Sequence, residues 1–255
     1  MFVFKEIKKF SNIKCVFFTR NTGVSKGIYK SLNCGLNSKD KKSNILKNRY
    51  IALKKINLNN KKLIIPNQIH SNKVKIVNEK SINKNINADG LITISNKIVL
   101  GILTADCAPV LLFDPKQKII SAIHAGWKGA KNGIIDNSIK LMLECGSKLN
   151  NIISCIGPCI GKESYKVNND FFMKFIIENP KNKQFFLINN NEMKFDLKSY
   201  IIKKLNNLGV KNIFFNSFDT FKDKKNFFSY RRSLLFKEND YGRCLSIISI
   251  NGEKN

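Results

Sequence analysis

KIVLGILTADCAPVLLFDPKQKIISAIHAGWKG, residues Lys97 to Gly129, is the stretch on which the fold turns. It opens on an almost continuously apolar run, KIVLGILTADC, the pattern of a strand buried on both faces. VLLFDPKQKIIS then reads as strand, turn, strand, because Asp-Pro between two apolar runs is a turn signal. After HAGWKG, residues Ile135, Ile139, Met142 and Leu143 recur at helical spacing, and Gly146 closes that helix.

Working outward, KKLIIP and NKVKIV read as strands flanking the polar loop NQIHS. Ser43 is placed to cap a helix with the stripe Leu46, Tyr50 and Leu53, and Arg49 lies close to it. NIISCIGP is another buried strand. Asp196 caps a helix over Leu197, Ile201, Leu205 and Leu208, stopped by Gly209. KNIFFN and CLSIISI end the chain as strands. Helices and strands mix without strict βαβ alternation. The expected fold class is therefore α+β, a layered sandwich of stacked mixed β-sheets flanked by helices. With no repeat, linker or compositional break, a single domain over residues 1–255 is expected.

No apolar run approaches the roughly 20 residues that cross a membrane, and MFVFKEIKKF lacks the layout of a secretory signal. The seven cysteines are odd in number and scattered, which suits a reducing cytoplasm. The net charge of +27 invites a nucleic-acid reading. Against it, the lysines form no dense tract, accompany abundant Asn and Ile, and come without zinc-finger spacing or paired RNA-binding aromatics. Only five of the 45 basic residues are arginine: Arg20, Arg49, Arg231, Arg232 and Arg243. Where lysine serves as the generic positive charge, those five are candidates for work that needs a planar fork.

The chain has two histidines, His70 and His124. Centring the Asp-Pro turn on Pro115 and Lys116 sets Cys107 opposite His124, with Cβ atoms about 4.5–5.5 Å apart. Pro109 leaves room for irregularity in that strand. A buried cysteine beside a satisfied core histidine is the bland alternative. His70, in a polar loop, favours a three-ligand metal site of His70, Cys107 and His124. Three protein ligands leave a fourth position open, as in catalytic zinc sites. Blue copper also uses two histidines and a cysteine, but Met1, Met142, Met173 and Met193 all lie away from these motifs, so zinc is expected. The helix after HAGWKG, with Lys128, offers an anion site, and glycines that merely turn the chain are the bland alternative.

TADCAPVLL, HAGWKG and the upstream NQIH resemble the laccase-domain, YfiH-like family, whose members are also called polyphenol oxidases. FFTRNTGVSKGIYKSLNCG, ADGLIT, IGPCIGKESYKV, FFSYRR and YGRC agree in order along nearly the whole chain. The resemblance implies an α/β layered sandwich, distantly similar to the catalytic domain of cytotoxic necrotizing factors. It implies zinc on His70, Cys107 and His124, with copper only as an adventitious metal. It also implies phosphorolysis of adenosine, inosine and methylthioadenosine, with adenosine deamination. Asp219-Thr220-Phe221 stands where many relatives have Cys-Thr-Tyr.

On this reading the partners are purine nucleosides and phosphate, with no nucleic acid and no membrane, in a monomer or weak homodimer. Arg49 and Arg231 are the expected phosphate clamp, and Asn33 and Gln68 offer amides to ribose or base. Asp106 neighbours Cys107, but strand alternation points it to the opposite face, leaving the general base unassigned. The zinc-deaminase signature is absent, since Pro158-Cys159 continues Ile160-Gly161. Two histidines also fall far short of a trinuclear copper cluster with a blue site. The rival enzyme is a Cys-His hydrolase or deamidase with Cys107 as nucleophile. The non-enzyme rival is a basic nucleic-acid binder.

Overall fold

The computed structural model describes residues 1–189 and 192–251. Its strands are β1 (Ile13–Phe17), β2 (Lys62–Ile64), β3 (Val74–Ile76), β4 (Gly90–Thr93), β5 (Ile98–Thr104), β6 (Ala108–Asp114), β7 (Ile119–Ala125), β8 (Ile153–Ile156), β9 (Lys166–Val167), β10 (Phe186–Asn189), β11 (Glu192–Phe195), β12 (Asn212–Phe215) and β13 (Cys244–Ile250). The helices are α1 (Lys42–Lys54), α2 (Trp127–Lys131), α3 (Ile134–Glu144), α4 (Asn169–Ile176), α5 (Leu197–Asn207) and α6 (Tyr230–Leu235).

A four-stranded sheet runs β1-β13-β5-β2 and a six-stranded sheet runs β12-β8-β6-β7-β4-β3, with β10-β11-β9 as a small third sheet. Alternation along each strand assigns the layers. Leu100 and Ile102 of β5 and Ile248 of β13 meet Leu111 and Phe113 of β6 and Ile120 of β7, making an apolar core between the two large sheets. The odd residue Val99, with Leu245 and Ile247, faces the other way onto Ala52 and Leu53 of α1. Val110 and Leu112 turn outward from the six-stranded sheet onto Ile135, Ile139 and Met142 of α3 and Ile201 and Leu205 of α5. The order is helix, sheet, sheet, helices, which is the expected layered α+β sandwich.

Local chemistry explains where the expected elements shift. The hairpin pairs Asp114 with Ile119 and Pro109 with His124, so its register differs by two residues from the sequence expectation. Asp114 Oδ1 accepts from Lys116 N at 2.9 Å and Gln117 N at 3.0 Å, and Lys118 takes a left-handed φ of 53°. That side-chain cap makes a four-residue loop cheaper than the two-residue turn centred on Pro115 and Lys116. The apolar stripe expected on α1 is also displaced. Leu46 and Tyr50 are 50% and 52% exposed, while Ile45, Asn48, Ala52 and Leu53 are buried. The cause is polar: Asn48 accepts from Val24 N and donates to Ser25 Oγ and Asn33 O, so it turns inward. Ser43 lies inside the helix, and Lys41 precedes it without a side-chain cap.

The site-forming ends coincide. β5 and β2 end, β13 and β4 begin, β6 begins and β7 ends along one edge of the sandwich, as the parallel and antiparallel pairings require. There Ala105–Cys107 carries the chain from the four-stranded sheet to the six-stranded one.

Candidate functional site

Asp106 makes that crossing possible. It adopts φ 84°, a left-handed conformation that an aspartate adopts at a cost. The conformation is held because the buried carboxylate accepts from Thr220 Oγ1 at 2.7 Å, Ser229 Oγ at 2.9 Å and Arg231 N at 2.7 Å. Asp106 does face away from Cys107, but through this kink rather than through strand alternation, since β5 ends two residues earlier. Burial pushes its carboxyl above the usual range, with the three hydrogen bonds opposing.

Cys107 emerges from the kink beside His124, although their backbones are out of register. Ligand atoms of His70, Cys107 and His124 all lie within 4.8 Å of one another. The two imidazole rings stand edge to face, with centroids 4.8 Å apart. His124 is buried at the end of β7, and His70 is exposed in its loop.

Asp89, fully buried just before β4, orders both histidines. Its Oδ1 lies 2.8 Å from His124 Nδ1 and accepts from His70 N at 3.0 Å. Its Oδ2 accepts from Ser71 N at 2.6 Å and Ser71 Oγ at 2.7 Å. One carboxylate thereby fixes the imidazole of His124 and the loop that carries His70, which itself takes a left-handed φ of 57°. With Nδ1 engaged, His124 offers Nε2 toward the cluster, the carboxylate–histidine–metal arrangement. Sequence reading missed Asp89. Its motif ADGLIT was visible, but nothing in the spacing places it against a histidine 35 residues away.

Electrostatics agree with a metal-ligating cluster. Burial pushes the Cys107 thiol up, but the adjacent His124 and His70 outweigh it and bring it down to about 6. Burial pulls His124 down, but Cys107 and Asp89 outweigh it and raise it to about 9. Burial raises Asp89, yet its bonds from His124 and Ser71 hold it at about 2. A thiolate and two imidazoles around an open position form a donor set suited to a thiophilic divalent ion.

The cluster forms one wall of a cavity of about 420 Å³. Arg49 and Gln68, two of the expected substrate-binding residues, also line it, together with Tyr241 and Arg243, which the sequence reading did not assign. Gln68 exchanges two 2.8 Å hydrogen bonds with the Leu103 backbone, so its amide locks the NQIH loop to β5. Asn33 is buried behind the wall, where its Oδ1 accepts from Gly35 N and Arg243 N and its Nδ2 donates to Ser38 and Asp40. That amide is saturated by the protein.

Arg231 and Lys128 lie apart from this cavity. Arg231 donates to Lys166 O at 2.6 Å and stacks over Tyr165, in a separate shallow cleft with Trp127. Lys128 is exposed, 5.7 Å from the Trp127 ring. The helix expected over Ile135, Ile139, Met142 and Leu143 is α3, closed by Gly146 at φ 102°. A separate five-residue helix, α2, precedes it, and Gly133 at φ 90° parts the two, so the N-terminus of α3 does not directly follow HAGWKG. Asp219 accepts from Ser164 Oγ at 2.6 Å and lines another cleft beside Lys198 and Lys222.

The family described as multi-copper polyphenol oxidoreductase laccase matches residues 14–251. The chain belongs to this laccase-domain family. A purine nucleoside phosphorylase of Rickettsia conorii is 40% identical over 189 residues, covering 73% of this chain and 77% of the relative. One from Haemophilus influenzae is 32% identical over 240 residues, covering 93% and 94%. Among solved structures, the hypothetical protein YfiH of Bacillus licheniformis aligns with a TM-score of 0.88 at 27% identity, covering 96% of this chain and 95% of that one. Neisseria meningitidis protein NMB0706 aligns at 0.85 and 30%, covering 95% and 96%. The laccase-domain sandwich therefore spans nearly the whole chain, and no helix among its described residues is long and apolar enough to cross a membrane.

Proposed function

We propose that the protein is a cytoplasmic, zinc-dependent purine nucleoside phosphorylase that accepts adenosine, inosine and methylthioadenosine and also deaminates adenosine. The observation that carries this reading is the His70–Cys107–His124 cluster opening into a cavity of nucleoside-binding size. Support comes from the relatives named purine nucleoside phosphorylase. Zinc held by the three ligands would supply Lewis-acid polarisation at its fourth position.

In phosphorolysis a phosphate oxygen bonds to C1′ of the ribose as the bond from C1′ to the purine nitrogen breaks. The bond's electrons leave with the base, which takes up a proton. The chain's own contribution is positional. Asp89 holds the imidazole of His124 and the backbone of His70, Gln68 pins the loop of His70 to β5, and Tyr241 adds an aromatic side chain to the cavity lining.

The close Cys107–His124 pair also favours the Cys-His hydrolase as a second reading. Metal content separates the two, because a nucleophilic thiolate has to be free. Purified protein incubated with adenosine or inosine and phosphate should yield ribose 1-phosphate and the free base, with inosine also formed from adenosine. Absence of ribose 1-phosphate from zinc-replete protein would sink the phosphorylase reading.

A further inference from the structure

The five arginines separate by what their guanidinium groups already hold. Arg20 donates to the carbonyls of Lys30, Ile28 and Lys224, and Arg232 to those of Thr220, Phe221 and Phe227. These two are struts, with their forks filled by backbone. Arg231 is tied to Lys166 O outside the cavity.

Arg49 and Arg243 differ. Arg49 spends one donor, Nε, on Cys34 O at 2.9 Å. Arg243 makes a long 3.4 Å contact to Tyr241 O and stacks 4.3 Å over the Tyr241 ring. A guanidinium has five N–H donors, so most of both forks is unspent. Among the described residues neither arginine forms an ion pair with a carboxylate.

Both are built into one wall. Cys34 N donates to Arg243 O at 3.1 Å while Cys34 O accepts from Arg49, so a single residue ties the two together. Asn33 Oδ1 fixes Arg243 N. Gly35 leaves the space for the arginine's stem, since a Cβ there would sit 2.9 Å from Arg243 Cδ. The cavity they line also exposes His70, Cys107 and His124, and its lining contains no Asp or Glu. Burial lowers the Arg49 guanidinium from its ordinary value. Its neighbour Cys34 is no counter-charge, because burial pushes that thiol up to about 12. A partly desolvated cation without a partner is costly, and a bound anion removes the cost.

We infer that Arg49 and Arg243 form the oxyanion subsite of the metal cavity, the place that takes inorganic phosphate. This rests on the phosphorylase reading for its role in turnover, and it moves the clamp from Arg231 to Arg243. Two forks on one wall hold a tetrahedral dianion, while the Tyr241 ring orients the planar Arg243 fork that lies over it.

Arg49→Lys and Arg243→Lys keep the charge and remove the fork. The expected result is a phosphate KM raised about tenfold or more, with the nucleoside KM within about twofold, as for loss of a charge-assisted hydrogen bond. Zinc content should stay at the wild-type level. Because Arg49 also anchors Cys34, Arg243→Lys carries the test alone if the Arg49 variant is poorly folded. A second arm needs no turnover: inorganic phosphate, at matched ionic strength, should raise the melting temperature of wild-type protein more than that of either variant. If wild type shows this shift but never releases ribose 1-phosphate, the phosphorylase reading fails and the anion site stands. The proposal is overturned if phosphate stabilises wild type and variants alike. It is equally overturned if Arg231→Lys raises the phosphate KM while Arg243→Lys leaves it unchanged.

Discussion

Gly126 shows how tightly single positions govern the His70–Cys107–His124 cluster. A Cβ built on it would lie 2.9 Å from Cys107 Sγ and 3.5 Å from His70 Cδ2. The sulfur therefore occupies the space that any other residue would fill. Gly126→Ala should displace the thiolate and lower zinc affinity by about tenfold, the scale seen when outer supports of metal ligands are disturbed. Competition with a chromophoric chelator reads this directly, and unchanged affinity would show that the thiolate has room to move. Replacing a ligand is harsher: Cys107→Ala should lose most of its zinc, and full occupancy in that variant would disprove the ligand set. The meeting of His70, Cys107 and His124 was legible in the sequence because the chain has only two histidines and one follows the TADC cysteine across a strand–turn–strand stretch. Asp89 and Gly126 were not. Their roles are set by distances across strands, which residue counts and spacings do not contain.

The hairpin of β6 and β7 joins residue chemistry to element placement. Asp114 is fully buried, and its two oxygens serve three backbone donors: Lys116 N, Gln117 N and Lys148 N at 3.0 Å. Asp114→Ala strands those donors at a cost of about 2–3 kcal/mol, since loop donors partly recover water. A lowered melting temperature with zinc stoichiometry intact is the expected outcome. An unchanged melting temperature would mean the loop is held by something other than this cap. The same loop explains why the register was misread. Asp-Pro announces a turn without fixing its length, and two extra loop residues set Pro109 rather than Cys107 opposite His124. The pair still meets, because the Asp106 kink swings Cys107 back toward β7. On α1 the sequence misplaced the stripe for a related reason: an asparagine with three local partners outranked two large apolar side chains for the buried face. Strands β5, β8 and β13 were legible because burial on both faces leaves a run of apolar residues that few other environments produce.

At the scale of the whole molecule, two sheets meet at one edge, and the Ala105–Cys107 crossing delivers a thiolate there between two histidine-bearing segments. That architecture supplies one three-ligand cluster among the described residues, and the chain supplies no further imidazole. The family's description speaks of multi-copper laccase activity, and the histidine count contradicts that chemistry for this chain. Reducing oxygen to water takes four electrons, gathered in multicopper enzymes by a trinuclear cluster fed from a blue site, and both are built largely from imidazole. A single His-Cys-His site loaded with copper would also lack a nearby methionine for the axial position of a blue centre, since Met1, Met142, Met173 and Met193 all lie outside the cavity lining. Copper is expected to bind the thiolate and imidazoles of zinc-free protein, because it outranks zinc at nitrogen and sulfur donors. Colour from phenols under those conditions would then arise from an accessible copper ion. The test is oxygen uptake by copper-loaded protein with a phenolic donor, with peroxide and water measured as products. Slow uptake ending in peroxide is the expected outcome. Stoichiometric conversion of oxygen to water, retained after excess copper is removed, would overturn the single-site account.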